Sequence, residues 1–182
     1  MARLHRRTLL AAALSAPAWA RDPASPVLVM RHAQTEPGVG DPPGFVLGRC
    51  DTQRNLSTEG RMQARAFGAR LAALQLRPSS LRSSRWCRCL HTAEELRAGL
   101  GADATRVDPW PALDSTFDDR SRAPAQTTQL LQRLSALRMP AFELWVTHQI
   151  NITALTGAPA LMGQALWIAA RADGSVAVTP FD

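Results

Sequence analysis

The segment Pro26-Val27-Leu28-Val29-Met30-Arg31-His32 constrains the fold of this 182-residue chain more than any other stretch. Its four consecutive apolar residues are typical of a strand that is buried on both faces of a parallel sheet. Arg31 and His32 follow where the strand leaves the sheet, the edge at which ligands of open α/β folds bind. Arginine offers a forked donor to an anion, and histidine can act as a nucleophile or acid–base group. The pair therefore points to phosphate chemistry, although two solvated basic residues explain this segment alone equally well.

Hydrophobic spacing along the rest of the chain predicts alternating helices and strands. The predicted elements are a helix capped by Ser57, a strand over 79–84, a helix over 85–100, a strand over 105–108, a helix over 127–137, a strand over 142–147, a short helix over 151–155 and a hairpin over 165–178. This alternation predicts a three-layer α/β/α sandwich with a mostly parallel central sheet. Arg88 and His148 also follow predicted strands. Right-handed crossovers bring such strand ends to one edge, so we expect both arginines and both histidines to gather there.

Four segments, in this order along the chain, resemble signatures of the histidine phosphatase superfamily, the phosphoglycerate-mutase-like group. The segments are Val29-Met30-Arg31-His32-Ala33, residues 56–64 with the pattern Leu-Ser-x-x-Gly-x-x-Gln-Ala, Arg88 four residues before Thr92-Ala93, and Val146-Thr147-His148. The resemblance implies the fold predicted above and a small phosphorylated substrate. It also implies that the two arginines clamp the phosphate and that His32 attacks phosphorus. His148 would donate hydrogen bonds to the transferring oxygens, and neither a metal nor another cofactor would be needed.

The chain departs from the family pattern just after the predicted nucleophile. Ala33 replaces the usual glycine, and this small residue keeps the tight turn possible. A loop rich in glycine and proline, 33–54, occupies the region where the family often carries an asparagine. Long loops without regular structure are often functional, so this one is predicted to enclose the substrate.

The resemblance further implies a carboxylic acid that protonates the leaving alkoxide and then activates water. In the family this acid lies between the second arginine and the second histidine, where Asp114 is the best match. Glu36, in the long loop, is the rival. The residues predicted to contact the rest of the substrate are Gln53, Arg54 and Asn151. A role in bracing the loop explains the first two of them equally well.

Several further segments resemble an exported subgroup that includes lipopolysaccharide core heptose phosphate phosphatase. They are Gly40-Asp41-Pro42-Pro43-Gly44-Phe45 and residues 50–57, 86–89 and 147–151. This resemblance implies a phospho-sugar of the cell envelope as the substrate. Two alternatives stay open: a catalytically silent protein that binds phospho-sugars or other anions, and a phosphomutase. The missing asparagine and the export signal described next count against the mutase.

The first twenty residues have the features of an export signal, either twin-arginine-like or general secretory. A basic start with Arg6-Arg7 precedes a short apolar stretch, and Ala18-Trp19-Ala20 forms a small-x-small cleavage site. Residues 21–182 are then predicted to form one periplasmic domain, without a later run long enough to span a membrane. The signal holds three arginines and no acids, so the formal charge of +6 falls to +3 without it. This mild charge gives little support to a nucleic-acid-binding module.

The three cysteines, Cys50, Cys87 and Cys89, leave the disulfide pattern open. Export makes a disulfide possible. Cys87 and Cys89 are too close in sequence to pair on regular backbone, so Cys50 would join one of them. Three reduced thiols are an equally good prediction. A zinc site ranks last because a second close pair of ligands is missing.

Overall fold

The apolar segment before His32 forms the strand β1 at the centre of the sheet. The structure, a computed structural model, describes residues 26–38 and 40–181, so the predicted export signal lies outside the described residues. The elements are β1 Val27–Arg31, α1 Thr58–Ala73, β2 Ser80–Ser83, α2 Cys87–Leu100, β3 Val107–Pro109, α3 Ala123–Ala136, β4 Glu143–Thr147, α4 Gln149–Thr156, β5 Ala165–Ala170 and β6 Val176–Pro180. Short 3-10 helices lie at Cys50–Thr52, Pro111–Leu113 and Arg120–Arg122.

Within the described residues, six strands form one sheet in the order β3-β2-β4-β1-β5-β6. The pairs β3–β2, β2–β4 and β4–β1 are parallel, whereas β5 and β6 are antiparallel to their neighbours. The predicted mostly parallel sheet is therefore confirmed. β1 and β4 are adjacent, with Arg31 paired in register with Thr147. The residues that follow these two strands, His32 and His148, therefore leave the sheet side by side.

Helices cover both faces of the sheet, as the three-layer prediction requires. Side chains of a strand alternate between faces, so Val27 and Val29 join one core and Leu28 and Met30 join the other. The first core includes α3 and α4, and the second includes α1 and α2. All four of these strand residues are buried on one face or the other. Their continuous apolar run is thus explained, since both faces of β1 are covered.

Gly60 holds the segment after His32 against the start of α1. A Cβ at this position would lie 1.9 Å from the backbone oxygen of Gln34, so only glycine allows the approach. Ser57 caps the same helix, as predicted, because its hydroxyl accepts a hydrogen bond from the Gly60 N–H. The Leu-Ser-x-x-Gly pattern therefore fixes the path of the chain that leaves the predicted nucleophile.

Three predicted helix starts differ from the structure. α4 begins at Gln149 instead of Asn151. α2 begins at Cys87 instead of Arg85, because residues 85 and 86 form a turn. In that turn the Arg85 N–H donates to the Asp114 carboxylate and the Trp86 N–H donates to the Ser84 hydroxyl. α3 begins at Ala123 instead of Thr127, since proline is well tolerated in a first helical turn.

A disulfide joins Cys50 to Cys87 and leaves Cys89 as a buried thiol. This pairing is one of those that the sequence left open, and it decides against three reduced thiols. The bond ties the loop after β1 to the first residue of α2. Arg88 is the next residue, so the disulfide also restrains the backbone of the second predicted clamp.

No group of three or more histidine, cysteine, aspartate and glutamate side chains suited to a metal ion occurs among residues 26–38 and 40–181. None of the helices in this part of the chain has the length and apolarity that crossing a membrane requires.

Candidate active site

A cavity of about 1020 Å³ lies at the carboxyl edge of the sheet. Arg31 and His32 at the end of β1, Arg88 in the first turn of α2 and His148 after β4 all line it. The structure thus brings together the four residues that the sequence predicts at one edge. The loop over 40–45 lines the same cavity, as expected of a segment that encloses a substrate.

His32 is held in one tautomer by its own backbone. Its Nδ1 lies 2.9 Å from the Ala33 carbonyl oxygen. A carbonyl only accepts, so Nδ1 carries the proton and Nε2 keeps its lone pair. The turn itself is pinned, because the Ala33 N–H donates to the Thr92 hydroxyl, which in turn donates to the Arg88 carbonyl. The arrangement leaves the imidazole with one nitrogen prepared for attack on an electrophile.

Three arginines of the cavity, Arg31, Arg54 and Arg88, hold unused hydrogen-bond donors. The Nε atom of each is buried without a hydrogen-bond partner in the part of the chain that the structure describes. Burial and the nearby Arg88 lower the pKa of Arg31 and of Arg54. Buried donors without partners are costly, which gives these guanidinium groups a reason to turn towards an anion. Arg54 thus joins the two predicted clamp residues as a third guanidinium group of the cavity.

His148 lies between Arg88 and a chain of polar groups behind the cavity. The Arg88 Nη2 is 3.4 Å from its Nδ1, and the Ser84 hydroxyl is 2.9 Å from its Nε2. The Ser84 hydroxyl also lies 3.3 Å from an Asp114 carboxylate oxygen. Burial, with Arg88 as the next cause, holds the pKa of His148 well below its usual value. The ring centres of His32 and His148 are 5.6 Å apart, so one phosphoryl group can contact both.

The two carboxylates predicted as the acid lie elsewhere. Asp114 is fully buried, and its oxygens accept from the Arg85 backbone N–H, Nε and Nη2 at 2.6–2.8 Å. It lies outside the cavity lining and reaches His148 through Ser84. Glu36 is exposed and also lies outside that lining. This geometry suits Asp114 to positioning His148 rather than to protonating a leaving group.

Asp41 is the carboxylate that the sequence-based prediction missed. Among the described carboxylates, it and Asp118 line the cavity. The Arg88 Nη1 donates to both Asp41 oxygens at 2.8 and 3.0 Å, and the Trp86 indole N–H and the Arg54 backbone N–H donate to them at 3.2 and 3.1 Å. The side chain is 8% exposed. An acidic residue between glycine and proline in a loop predicted to enclose the substrate was the available signal.

The three residues predicted to contact the rest of the substrate have different surroundings in the structure. Arg54 lines the cavity. Gln53 lies outside that lining and braces the loop, since its amide donates to the Val46 carbonyl and accepts from the Cys87 N–H. Asn151 also lies outside it and donates to the Asp114 carbonyl. The bracing alternative therefore describes Gln53, while Arg54 remains a candidate for substrate contact.

The free energy of unfolding is expected to fall as the pH is lowered from 6.5 towards 3. Burial lowers the pKa of His32 to about 3, against the opposing hydrogen bond to the Ala33 carbonyl, with Arg88 and Arg31 as further lowering causes. The unfolded chain, with a histidine pKa of about 6.5, takes up this proton first as the pH falls. Above 6.5 both states are neutral at this residue, so its effect is confined to that interval.

A His32→Asn variant tests this dependence because it removes the titrating group. Its slope of unfolding free energy against pH should be shallower than that of the wild type by up to about 1.4 kcal/mol per pH unit. Urea denaturation at pH 4, 5, 6 and 7 measures both slopes. The carboxylates titrate in both proteins, so their effect cancels in the comparison. Equal slopes would mean that His32 is not buried in its neutral form.

The family model of the histidine phosphatase superfamily (branch 1) matches residues 27–118. This match spans half of the chain and contains β1, the long loop, α1 and α2. The chain therefore belongs to the histidine phosphatase superfamily. No curated protein matches it.

Solved structures of phosphatases share the fold. The protein histidine phosphatase SixA in complex with tungstate aligns with a TM-score of 0.60 at 16% identity, over 85% of this chain and 94% of that one. A mycobacterial glucosyl-3-phosphoglycerate phosphatase gives 0.60 at 18% identity, over 87% and 98%. The α-ribazole phosphatase of Shigella flexneri gives 0.57 at 15% identity, over 86% and 95%. At these identities the likeness concerns the fold alone, which is the predicted α/β architecture.

Proposed function

We propose that this chain is a phosphomonoesterase that acts through a phosphohistidine on His32. One observation carries the proposal: Arg31, Arg54 and Arg88, each with a buried Nε donor that has no partner in the described chain, line the same cavity as His32, whose Nε2 keeps its lone pair. A phosphate monoester is a compact dianion with several acceptor oxygens. Such a group would accept hydrogen bonds from the three guanidinium groups and offset their positive charge.

In the first step, the lone pair of His32 Nε2 attacks phosphorus while the bond from phosphorus to the ester oxygen breaks. The Ala33 carbonyl keeps the proton on Nδ1 and stabilises the positive charge that develops on the ring. Arg31, Arg54 and Arg88 hold the nonbridging oxygens in line with this attack. His148 Nδ1 faces the Arg88 Nη2, which can only donate, so the neutral ring accepts from Arg88 and orients that guanidinium towards the same oxygens, while Ser84 and Asp114 hold its Nε2 side from behind.

Asp41 is proposed to supply the proton that the leaving oxygen needs. In the free protein its carboxylate pairs with Arg88. An ester that binds as the monoanion brings one proton, and Asp41 takes up this proton when the phosphate displaces the carboxylate from Arg88. Asp41 then gives this proton to the ester oxygen as the bond breaks. It accepts a proton from the water that later attacks phosphorus, and cleavage of the N–P bond regenerates neutral His32.

The test of this function is hydrolysis of p-nitrophenyl phosphate together with capture of the intermediate. Protein lacking residues 1–20 should release p-nitrophenol. Quenching with alkali during turnover of ³²P-labelled substrate should leave base-stable and acid-labile label on the protein, as a phosphoramidate on histidine behaves. Tungstate should inhibit competitively because it imitates the bound phosphoryl group. A protein that binds tungstate but neither turns over nor carries label would instead be the silent anion-binding protein.

We also propose that residues 1–20 are an export signal and that residues 21–182 work in the periplasm. The Cys50–Cys87 disulfide supports this location, because such bonds persist in oxidising compartments. A phosphate ester of the cell envelope is then the accessible substrate class. The resemblance of residues 40–45, 50–57, 86–89 and 147–151 makes a phospho-sugar of the lipopolysaccharide core one candidate within this class.

A further inference from the structure

The cavity has two chemically different regions. The charged region is the group of arginines and histidines at the strand ends. Away from it, the walls are mostly apolar, with Asp118 and Arg120 as their charged side chains, and the largest apolar side chains there are Pro43, Phe45, Trp86, Phe117, Ile150 and Met162. These side chains come from the long loop, the start of α2, the segment after the 3-10 helix at Pro111–Leu113, the start of α4 and the connection before β5. Five separate parts of the chain thus converge on one apolar wall.

The apolar wall is continuous with the proposed site of phosphoryl transfer. The ring of Trp86 lies 5.7 Å from the ring of His148 and 5.8 Å from the ring of Phe45. Trp86 is buried, and its indole N–H is already used by Asp41. A group attached to a phosphate held by the arginines would therefore pass directly from the charged region onto aromatic surface.

Phe117 extends this wall. Its side chain is 63% exposed, so the ring offers apolar surface to a ligand that covers it. A Cβ added to Gly40 would be 3.8 Å from the Phe117 ring. The ring therefore stands against the loop that carries Asp41.

Most described polar side chains of the wall are already used within the protein. The Gln149 carbonyl oxygen accepts from Arg31 and from the Ala160 N–H, and its amide nitrogen donates to Thr153. The Ser115 hydroxyl accepts from the Phe117 N–H. Asp118 pairs with Arg122. A sugar that places several hydroxyl groups against this wall would find few partners there besides Arg120, and unpaired buried hydroxyls oppose binding.

We propose that the physiological ester joins phosphate to a bulky apolar alcohol, so that the wall holds the leaving group. This inference rests on the proposed phosphatase function, since the arginines must hold the phosphate. It narrows the candidate substrates from phosphate esters of the cell envelope in general to those with an apolar group next to the phosphate. A bare phospho-sugar is then disfavoured. The contacts with Phe45, Trp86 and Phe117 then determine specificity, while the arginines determine recognition of phosphate.

A chain-length series tests the wall. Ethyl, butyl and hexyl phosphate and glucose 6-phosphate are all esters of primary alcohols, so the chemistry of their leaving groups is similar. A buried methylene favours binding roughly fourfold, so kcat/KM should rise about 250-fold from ethyl to hexyl phosphate and exceed that for glucose 6-phosphate. A Phe45→Ala/Phe117→Ala variant should flatten the series. A Met62→Ala variant removes an exposed apolar side chain outside the cavity lining and should keep it unchanged.

Binding of ethyl- and hexylphosphonate, measured by calorimetry, separates the two proposals. Hydrolysis with a flat series, a preference for glucose 6-phosphate or an unchanged slope in the double variant overturns the apolar-ester inference and leaves the phosphatase standing. Tighter binding of hexylphosphonate without hydrolysis of any ester supports the wall and overturns the phosphatase. A protein that neither binds the phosphonates nor hydrolyses the esters contradicts both.

Discussion

Replacing His32 with alanine is expected to lower kcat/KM for p-nitrophenyl phosphate by roughly 1000-fold or more, since a nucleophile has no substitute in covalent catalysis. Its Nε2 carries the lone pair that attacks phosphorus, and the Ala33 carbonyl holds its other nitrogen. Water attacking the bound ester directly would lack this position and this nucleophilicity. Initial rates over a range of substrate concentrations measure the loss.

The matched control for this variant is His91→Ala. His91 is a half-buried histidine of α2 outside the cavity lining, so its loss should leave the rate within about twofold, as for surface substitutions away from a site. Tungstate affinity should persist in His32→Ala, because the three arginines are intact. Turnover equal to that of the wild type would refute the phosphohistidine mechanism. A parallel loss of tungstate binding would assign His32 to binding instead of attack.

The central strands were predictable because a strand that is buried on both faces has apolar residues at consecutive positions. The runs before His32 and His148 are apolar at consecutive positions, which only a covered central strand requires. Parallel pairing of β1 with β4 then places both histidines at one edge. Helix bounds were less accessible, since the start of α2 depends on Asp114 and Ser84 binding the backbone of residues 85 and 86. Asp114 lies about thirty residues away, and local spacing carries no trace of such a contact.

Motifs alone did not predict which carboxylate lines the cavity. Asp114 occupies the expected segment, but Arg85 neutralises it from three donors and buries it behind Ser84. Asp41 lies in a loop without regular structure, so the spacing of apolar residues cannot predict which way its side chain points. Its contact with Arg88 depends on the path of residues 40–45 and on the disulfide that ties the loop to α2. The path of the loop and the disulfide both depend on contacts between residues that are far apart in the sequence.

An Asp41→Asn variant is expected to lose activity in proportion to the difficulty of the leaving group. Ethoxide needs a proton as its bond breaks, so kcat/KM for ethyl phosphate should fall by about 100- to 10,000-fold, the range that general acid catalysis supplies. Nitrophenolate leaves without a proton, so kcat/KM for p-nitrophenyl phosphate, which reports phosphoryl transfer to His32 and not the later attack of water, should not fall. The Trp86 and Arg54 N–H groups donate to different oxygens of Asp41, so asparagine keeps an acceptor for one of them and loses the other. The ratio of the two kcat/KM values is the measurement, because a general weakening of the loop lowers both values alike.

The KM values separate the two parts that Asp41 is proposed to play. Removing its charge frees Arg88 from a competing anion, so KM for both esters and the Ki of inorganic phosphate should fall together. An Asp118→Asn variant changes the other described carboxylate of the cavity, which is exposed and paired with Arg122, and should alter neither ratio nor Ki. A fall in Ki without any dependence on the leaving group would make Asp41 a counter-ion only. The proton would then come from another group, because a leaving alkoxide cannot depart unprotonated at a useful rate near neutral pH.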